Sequence, residues 1–340
     1  MFWEKEGKLI YSYDGETVCI EAWGKDALRV RATKNRSFTG RDWALEAKDA
    51  HAGEVEIFED PSAKGGAFAN MYEGTDTSYG KITNGKLHAV IDSGSVITFY
   101  HEDGRVLLKE HFRRLRDEES MPLNIMGREY SNGVGDNFRI VARFVARKGE
   151  KIFGMGQYQQ HELDLKGCML ELAQRNSQVS VPFYLSSIGY GFLWNNPGVG
   201  QVMFANNGTE WVTESGKEID YLVVAGDTPA EIEENYMTLT GKPPMMPEYG
   251  MGFWQCKLRY WNQEQLLSVA RKYKELGVPL DVIVVDFFHW TKQGEFKFDP
   301  KYWPDVPGMC RELKEMGIQV VVSVWPTVDI YSENFEEMKE

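Results

Sequence analysis

The chain has 340 residues, and at roughly 100–200 residues per domain two domains are expected. Its 42% hydrophobic and 26% charged residues are those of a globular protein, which excludes a disordered one. A net charge of −13, with no basic run longer than a pair such as Arg113-Arg114, makes it a poor binder of nucleic acid or anionic membrane, so neutral ligands are expected.

Residues 1 to about 227 read as short strands broken by turns. Lys8–Tyr13 and Glu16–Ala22 flank Asp14-Gly15, a two-residue hairpin signal, and Ala27–Ala32 follows Gly24-Lys25-Asp26. Val96–His101 and Arg105–Lys109 are joined through Asp103-Gly104, and Asn137–Val145 alternates polar with apolar residues. Val181–Leu185 and Gly191–Asn195 continue the pattern around Gly189. Many short strands with turns between them predict an antiparallel β-sandwich. Within it, Gly154-Met155-Gly156 lacks the further glycine of a phosphate loop and is expected to form a loop, one reaching toward the second domain.

The pattern then changes. Thr228-Pro229-Ala230-Glu231 has a threonine N-cap, a first-turn proline and a glutamate placed to cap reciprocally, so a helix starts there. Gly241-Lys242-Pro243-Pro244-Met245-Met246-Pro247 is a proline-stiffened linker, which sets the expected domains at 1–243 and 248–340. Beyond it, strands are predicted at Met251–Gln255, Leu280–Asp286 and Gln319–Trp325. Between them lie a helix capped by Asn262 and stopped by Gly277, and a second over about Val306–Met316 ending at Gly317. A further helix is expected near Ser332-Glu333. Strand–helix alternation implies parallel strands with crossover helices. With 93 residues after Pro247, the expectation is the first three strands of an incomplete (β/α)8 TIM barrel, which typically needs about 250. The uncovered edges of such a sheet lead us to expect self-association into a homo-oligomer.

Four separated cysteines, Cys19, Cys168, Cys256 and Cys310, form no CxxC, so no structural metal or cofactor is expected. The N-terminus shows no signal-peptide pattern, and no run of 18 apolar residues occurs, so the expected compartment is the cytoplasm. The sequons at Asn35 and Asn207 carry little weight without an export signal.

In parallel α/β folds, ligands bind beyond the carboxyl ends of the strands. Those exits hold Lys257 and Arg259, then Asp286-Phe287-Phe288-His289-Trp290, then Trp325-Pro326-Thr327. Aromatic faces beside a carboxylate suit a sugar, because CH faces stack on rings while hydroxyls need acceptors. Each residue also has a structural reading. Asp286 could cap the next segment or pair with Lys257; Lys257 and Arg259 could be ion-pair members; Trp325 and Phe288 could be core; His289 could be packed; Asp299 could make a turn. Glycosidase chemistry normally needs two flanking carboxylates, and only one stands out here.

The run Pro247-Glu248-Tyr249-Gly250 … Trp254-Gln255-Cys256-Lys257-Leu258-Arg259-Tyr260 resembles the barrel entry of glycoside hydrolase family 31. So do Val278 through Trp290, Phe298-Asp299-Pro300, Trp303-Pro304-Asp305 and Ser323-Val324-Trp325-Pro326. Upstream, Gly226–Glu231 and Leu239–Pro244 resemble that family's sandwich-to-barrel connection. Within the family, the α-xylosidase branch is the nearest in character. The resemblance implies a retaining hydrolase of terminal α-linked xylose or glucose that works through a covalent glycosyl-enzyme and needs no metal. It implies a nucleophile aspartate after the fourth barrel strand and an acid/base aspartate after the sixth, so neither is assigned to a residue here. It also implies that Asp286 accepts hydrogen bonds from sugar hydroxyls, that Trp325 walls the subsite with Phe288 near it, and that Lys257 faces the sugar. Two other readings stand beside it: a carbohydrate-binding protein without hydrolytic activity, and a transglycosylase of the same fold.

Overall fold

The computed structural model describes residues 1–46, 49–61, 76–111, 113–115 and 123–339. It divides into two compact units, Met1–Pro243 and Pro244–Glu340.

The first unit is an antiparallel sandwich. One layer orders its strands Phe2–Lys5, Lys8–Tyr13, Glu16–Trp23, Ala27–Thr33, Ile219–Ala225, Tyr190–Trp194, Val179–Ser186 and Ile152–Gln157, with Ala50–His51 beside Glu16–Trp23. The opposing layer holds two five-stranded sheets, centred on Leu87–Asp92 and on Gly208–Gly216, bridged by Glu110 and Phe144. The Asp14-Gly15 hairpin forms as its sequence demands: Tyr13 pairs with Glu16 and both turn residues have positive φ, which matches the twist of the strands.

One apolar core drawn from all three sheets fills the space between the layers. Its centre is aromatic. The Phe192 ring lies 5.1 Å from Trp211, 5.2 Å from Tyr221 and 5.2 Å from Phe144, and truncating it to alanine should cost about 3–5 kcal/mol. Arg128 ties the layers together, bonding Glu16, Glu110 and Ser95 in the buried interior. The other face of the large sheet is covered by the helix Pro229–Thr240, whose Ile232 and Leu239 pack on Leu222 and Val224. Covered on both faces, Ile219–Ala225 is buried at every position. The helix begins as expected at Thr228, whose Oγ1 accepts from Glu231 N. Glu231 reaches back one residue further than a capping box requires, accepting from Asp227 N at 3.0 Å.

A second buried network pins the loop that follows Ala27–Thr33. Arg29 is fully buried and donates from Nε and Nη2 to Asp220 at 3.0 and 2.7 Å, and from Nη1 to Asp42 at 2.8 Å. Asn195 donates to the Asp220 carboxylate and to Asp42 O, while its own oxygen accepts from Ala44 N. Glu218 receives both the backbone N–H and the hydroxyl of Thr39. Buried charges persist only when paired in this way.

Gly154-Met155-Gly156 is not a loop. It lies inside the edge strand Ile152–Gln157, with a register shift between Gly154 and Gly156 and Met155 buried at φ 70. A Cβ on Gly156 would sit 2.2 Å from Val179 O, so the pair of glycines makes a bulge against the neighbouring strand.

The second unit has three parallel strands, Trp254–Gln255, Val282–Val285 and Gln319–Val322, among its described residues. All three are shorter than expected, the middle one forming over Val282–Val285 of the expected Leu280–Asp286. Glu248–Met251 is a 3₁₀ turn, and the chain leaves the sheet at Val322, so Trp325 belongs to a loop. The helices Gln263–Glu275 and Val306–Glu315 are N-capped by Asn262 and Asp305. Both end with a glycine at positive φ and a bond from the next residue's N–H to a carbonyl five residues back, Val278 to Tyr273 and Ile318 to Leu313. Their apolar faces pack on Ile283 and Val285 of the middle strand. The last helix is Phe335–Lys339.

Candidate sugar-binding rim

The middle strand sets the geometry. Val282–Val285 pairs with both neighbours, four β-branched residues in a row, and the chain leaves the sheet at Asp286. Asp286 Oδ1 accepts from Phe287 N at 2.8 Å, and Oδ2 lies 3.5 Å from the Cys256 thiol, a weak donor. Burial, and after it the nearby Asp286 carboxylate, push the Cys256 thiol pKa up. The structural reading of Asp286 is therefore half right: it caps the following segment, but it makes no ion pair with Lys257. Among the described residues, the ion pairs of this unit join Arg271 to Glu264 and Glu312, Lys272 to Glu275, and Lys297 to Glu295 and Glu333. Asp286, Lys257 and Arg259 belong to none of them.

Three aromatic rings gather at these exits. Phe287 and Trp325 stack with centroids 5.3 Å apart and planes 6° apart. Phe288 lies 4.6 Å from Phe287 and 6.1 Å from Trp325. It is half exposed and has φ 59, a left-handed conformation that a bulky side chain adopts only at a cost of about 1–3 kcal/mol. Such strain persists where the surroundings hold it, commonly at ligand sites. Arg259 is held by rings and not by a carboxylate, its guanidinium 3.6 Å from the Trp261 centroid and 5.3 Å from that of Phe288.

A cavity of about 190 Å³ opens beside Trp325, lined among others by Trp290, Phe298 and Val322. Trp290 is buried, and among the described residues its indole N–H, itself closed off from solvent, has no partner. Sequence reasoning gave no role to Phe287 or Trp290; their positions two and five residues beyond the strand end were the available signal. Lys257 is exposed, with no ion pair or ring contact among the described residues. His289 is packed, its Nδ1 donating to Asp286 O at 3.1 Å and its ring beside Phe298 and Trp290. Burial holds its pKa below the ordinary value. Asp299 makes the expected turn, its carboxylate accepting from Lys301 N.

A carboxylate with an open oxygen and flat ring faces can hold a polyhydroxylated ring: hydroxyls to the acceptor, CH faces to the rings. Three parallel strands, each leading to a helix, with this rim at their carboxyl ends are the opening of a TIM barrel, preceded in the chain by a β-sandwich. Two family descriptions match the chain: the glycosyl hydrolase 31 N-terminal galactose mutarotase-like domain over residues 17–202, and the glycosyl hydrolases family 31 TIM-barrel domain over 243–340. The chain belongs to glycoside hydrolase family 31.

An uncharacterized family 31 glucosidase of Pseudescherichia vulneris is 42% identical over 99% of this chain and 62% of its own length. The α-xylosidase of Saccharolobus solfataricus is 36% identical over 59% of this chain and 29% of its own. A crystal structure of a family 31 α-xylosidase from a soil metagenome, complexed with xylose, is 45% identical and superposes with a TM-score of 0.84. It covers 100% of this chain and 49% of that one. The chain thus spans less than two thirds of the relatives it matches.

Proposed function

We propose that this chain is the sandwich and barrel-entry portion of a retaining α-glycoside hydrolase releasing terminal α-linked xylose, or glucose, from oligosaccharides. The observation that carries the reading is Asp286 at the exit of the middle strand, one oxygen on its own loop and the other near only a thiol, beside Phe287, Phe288 and Trp325. Asp286 accepts hydrogen bonds from sugar hydroxyls, Trp325 and Phe288 wall the subsite, and Lys257 reaches the sugar from the first strand exit and biases xylose against glucose. The similarity to a xylose-complexed α-xylosidase supports xylose as the first substrate to test. The 340 residues alone are expected to bind and not hydrolyse, since in this family the nucleophile and acid/base follow the fourth and sixth strands.

The four unpaired thiols suit a reducing compartment, and we place the protein in the cytoplasm on that ground. Among the described residues no helix is long and apolar enough to cross a membrane. The test is to assay the complete gene product on p-nitrophenyl α-xyloside and α-glucoside, following the product anomer by NMR. Release of α-xylose with retention supports the reading. Saturable sugar binding without turnover supports the binding-protein alternative.

A further inference from the structure

A cavity of the sandwich unit is lined entirely by residues of the first unit. It measures about 740 Å³, within the range of about 300–1,000 Å³ usual for small-molecule sites. Trp43 lines it, with 45% of its surface exposed and φ 55. That combination is unusual. A large apolar ring is left in solvent, on a backbone conformation that a tryptophan rarely adopts.

The surroundings explain how it is held. Immediately before Trp43, Asp42 is fixed through both its carboxylate and its carbonyl, by Arg29 and Asn195; immediately after it, Ala44 N is fixed on Asn195. At the start of the loop, Thr39 is locked on buried Glu218. The Arg41 guanidinium lies 5.1 Å from the indole centroid and restrains the ring. A buried ionic network therefore fixes an exposed ring in a strained pose at the mouth of a cavity. Ser37, Asn137 and Ser215 line the same cavity with uncharged polar groups. Its Lys217 is paired with Asp136 at 2.8 Å and Arg41 is engaged over Trp43, while Arg36, exposed on the lining, has no ion pair among the described residues and is free to donate to sugar hydroxyls.

From this geometry we infer that the cleft bounded by Trp43 is a second saccharide-binding site, taking a neutral oligosaccharide with one sugar face on the indole and its hydroxyls on the serines and asparagine. A preset ring loses no rotamer freedom when a sugar stacks on it, which is what the pinned loop contributes. The site is independent of the Asp286 rim and does not rest on the hydrolase reading.

The test is titration calorimetry of the 340-residue chain with maltotetraose, cellotetraose and xylotetraose, and separately with inorganic phosphate. Trp43→Gly removes the ring while glycine accepts the positive φ, so the loop keeps its path. The titrations are made in the Asp286→Ala background, which takes away the acceptor of the barrel rim, as well as in the parent. We expect saturable binding of at least one tetrasaccharide in that background, weakened about tenfold or more when Trp43→Gly is added. Absence of binding to all three sugars overturns the inference, as does binding that Trp43→Gly leaves intact. Binding lost only in Asp286→Ala would assign the sugar to the rim, and binding of phosphate alone would make the cleft an anion site; both outcomes also overturn it.

Discussion

Phe287 and Trp325, on the exits of adjacent parallel strands, lie face to face with their planes 6° apart and centroids 5.3 Å apart. The pair comes from register: Val285 is opposite Val322, so both chains leave the sheet together and their aromatic residues meet just above it. The stack gives the rim a flat wall whose pose does not depend on a bound ligand.

In the complete protein, Trp325→Ala should raise KM for an α-xyloside with a smaller effect on kcat, because it removes a face that stacks on bound sugar. Offset aromatic contacts are worth about 0.5–1.5 kcal/mol, so about a tenfold change is the upper expectation. Steady-state kinetics on the variant reads it. An unaltered KM would mean that Trp325 packs only against Phe287.

Phe288 predicts the opposite balance between stability and binding. Glycine relieves the strain at φ 59, and the half-exposed ring contributes little burial, so Phe288→Gly should melt no lower than the parent while binding sugar more weakly. Thermal unfolding and sugar titration on one preparation check both halves. A clear drop in melting temperature would show that the ring is held by packing the structure needs.

Asp220 is the anchor of the sandwich network, and Asp220→Ala leaves the Arg29 guanidinium buried with one of its two carboxylates gone. Breaking such a buried pair costs about 3–5 kcal/mol. Urea unfolding should show the midpoint falling accordingly. A loss under about 1 kcal/mol would mean that Asp42 alone suffices to hold Arg29.

Protonation of His289 gives the barrel unit a pH dependence of known sign. Burial holds the folded pKa below the ordinary 6.5, so below that value the unfolded chain binds more protons than the folded one. Its contribution is full above pH 6.5 and is lost as pH falls through 6.5 toward the lower folded value. Melting at about pH 7.5 and about pH 5.5 should show a steeper acid loss in the parent than in His289→Asn. Equal losses would place the titration elsewhere.

Much of this was legible before any coordinates. The Asp14-Gly15 hairpin, the caps at Thr228 and Asn262 and the stops at Gly277 and Gly317 are local chemistry, and each formed where its residues called for it. Asp286 could be singled out because an apolar β-branched run ends in a carboxylate. What local chemistry could not convey was partnership across distance. The sequence allowed Arg259 a carboxylate, yet it packs over Trp261 and Phe288, a choice made by where the loop turns after Gln255. The bulge at Gly154 and Gly156 depends on the approach of Val179, a strand that follows more than twenty residues later. The pose of Trp43 depends on Arg29, Asn195 and Asp220, which the topology brings together from two strands and the loop just beyond a third.

The most direct test of the central claim is kcat/KM of Asp286→Ala, made in the complete gene product, on p-nitrophenyl α-xyloside. Loss of the charged acceptor we propose for sugar hydroxyls should lower it by several kcal/mol of transition-state binding, about a hundredfold or more, with the fold intact by circular dichroism. A variant with unchanged kcat/KM would contradict the account, leaving Asp286 as a cap on its own loop and the aromatic rim without a sugar.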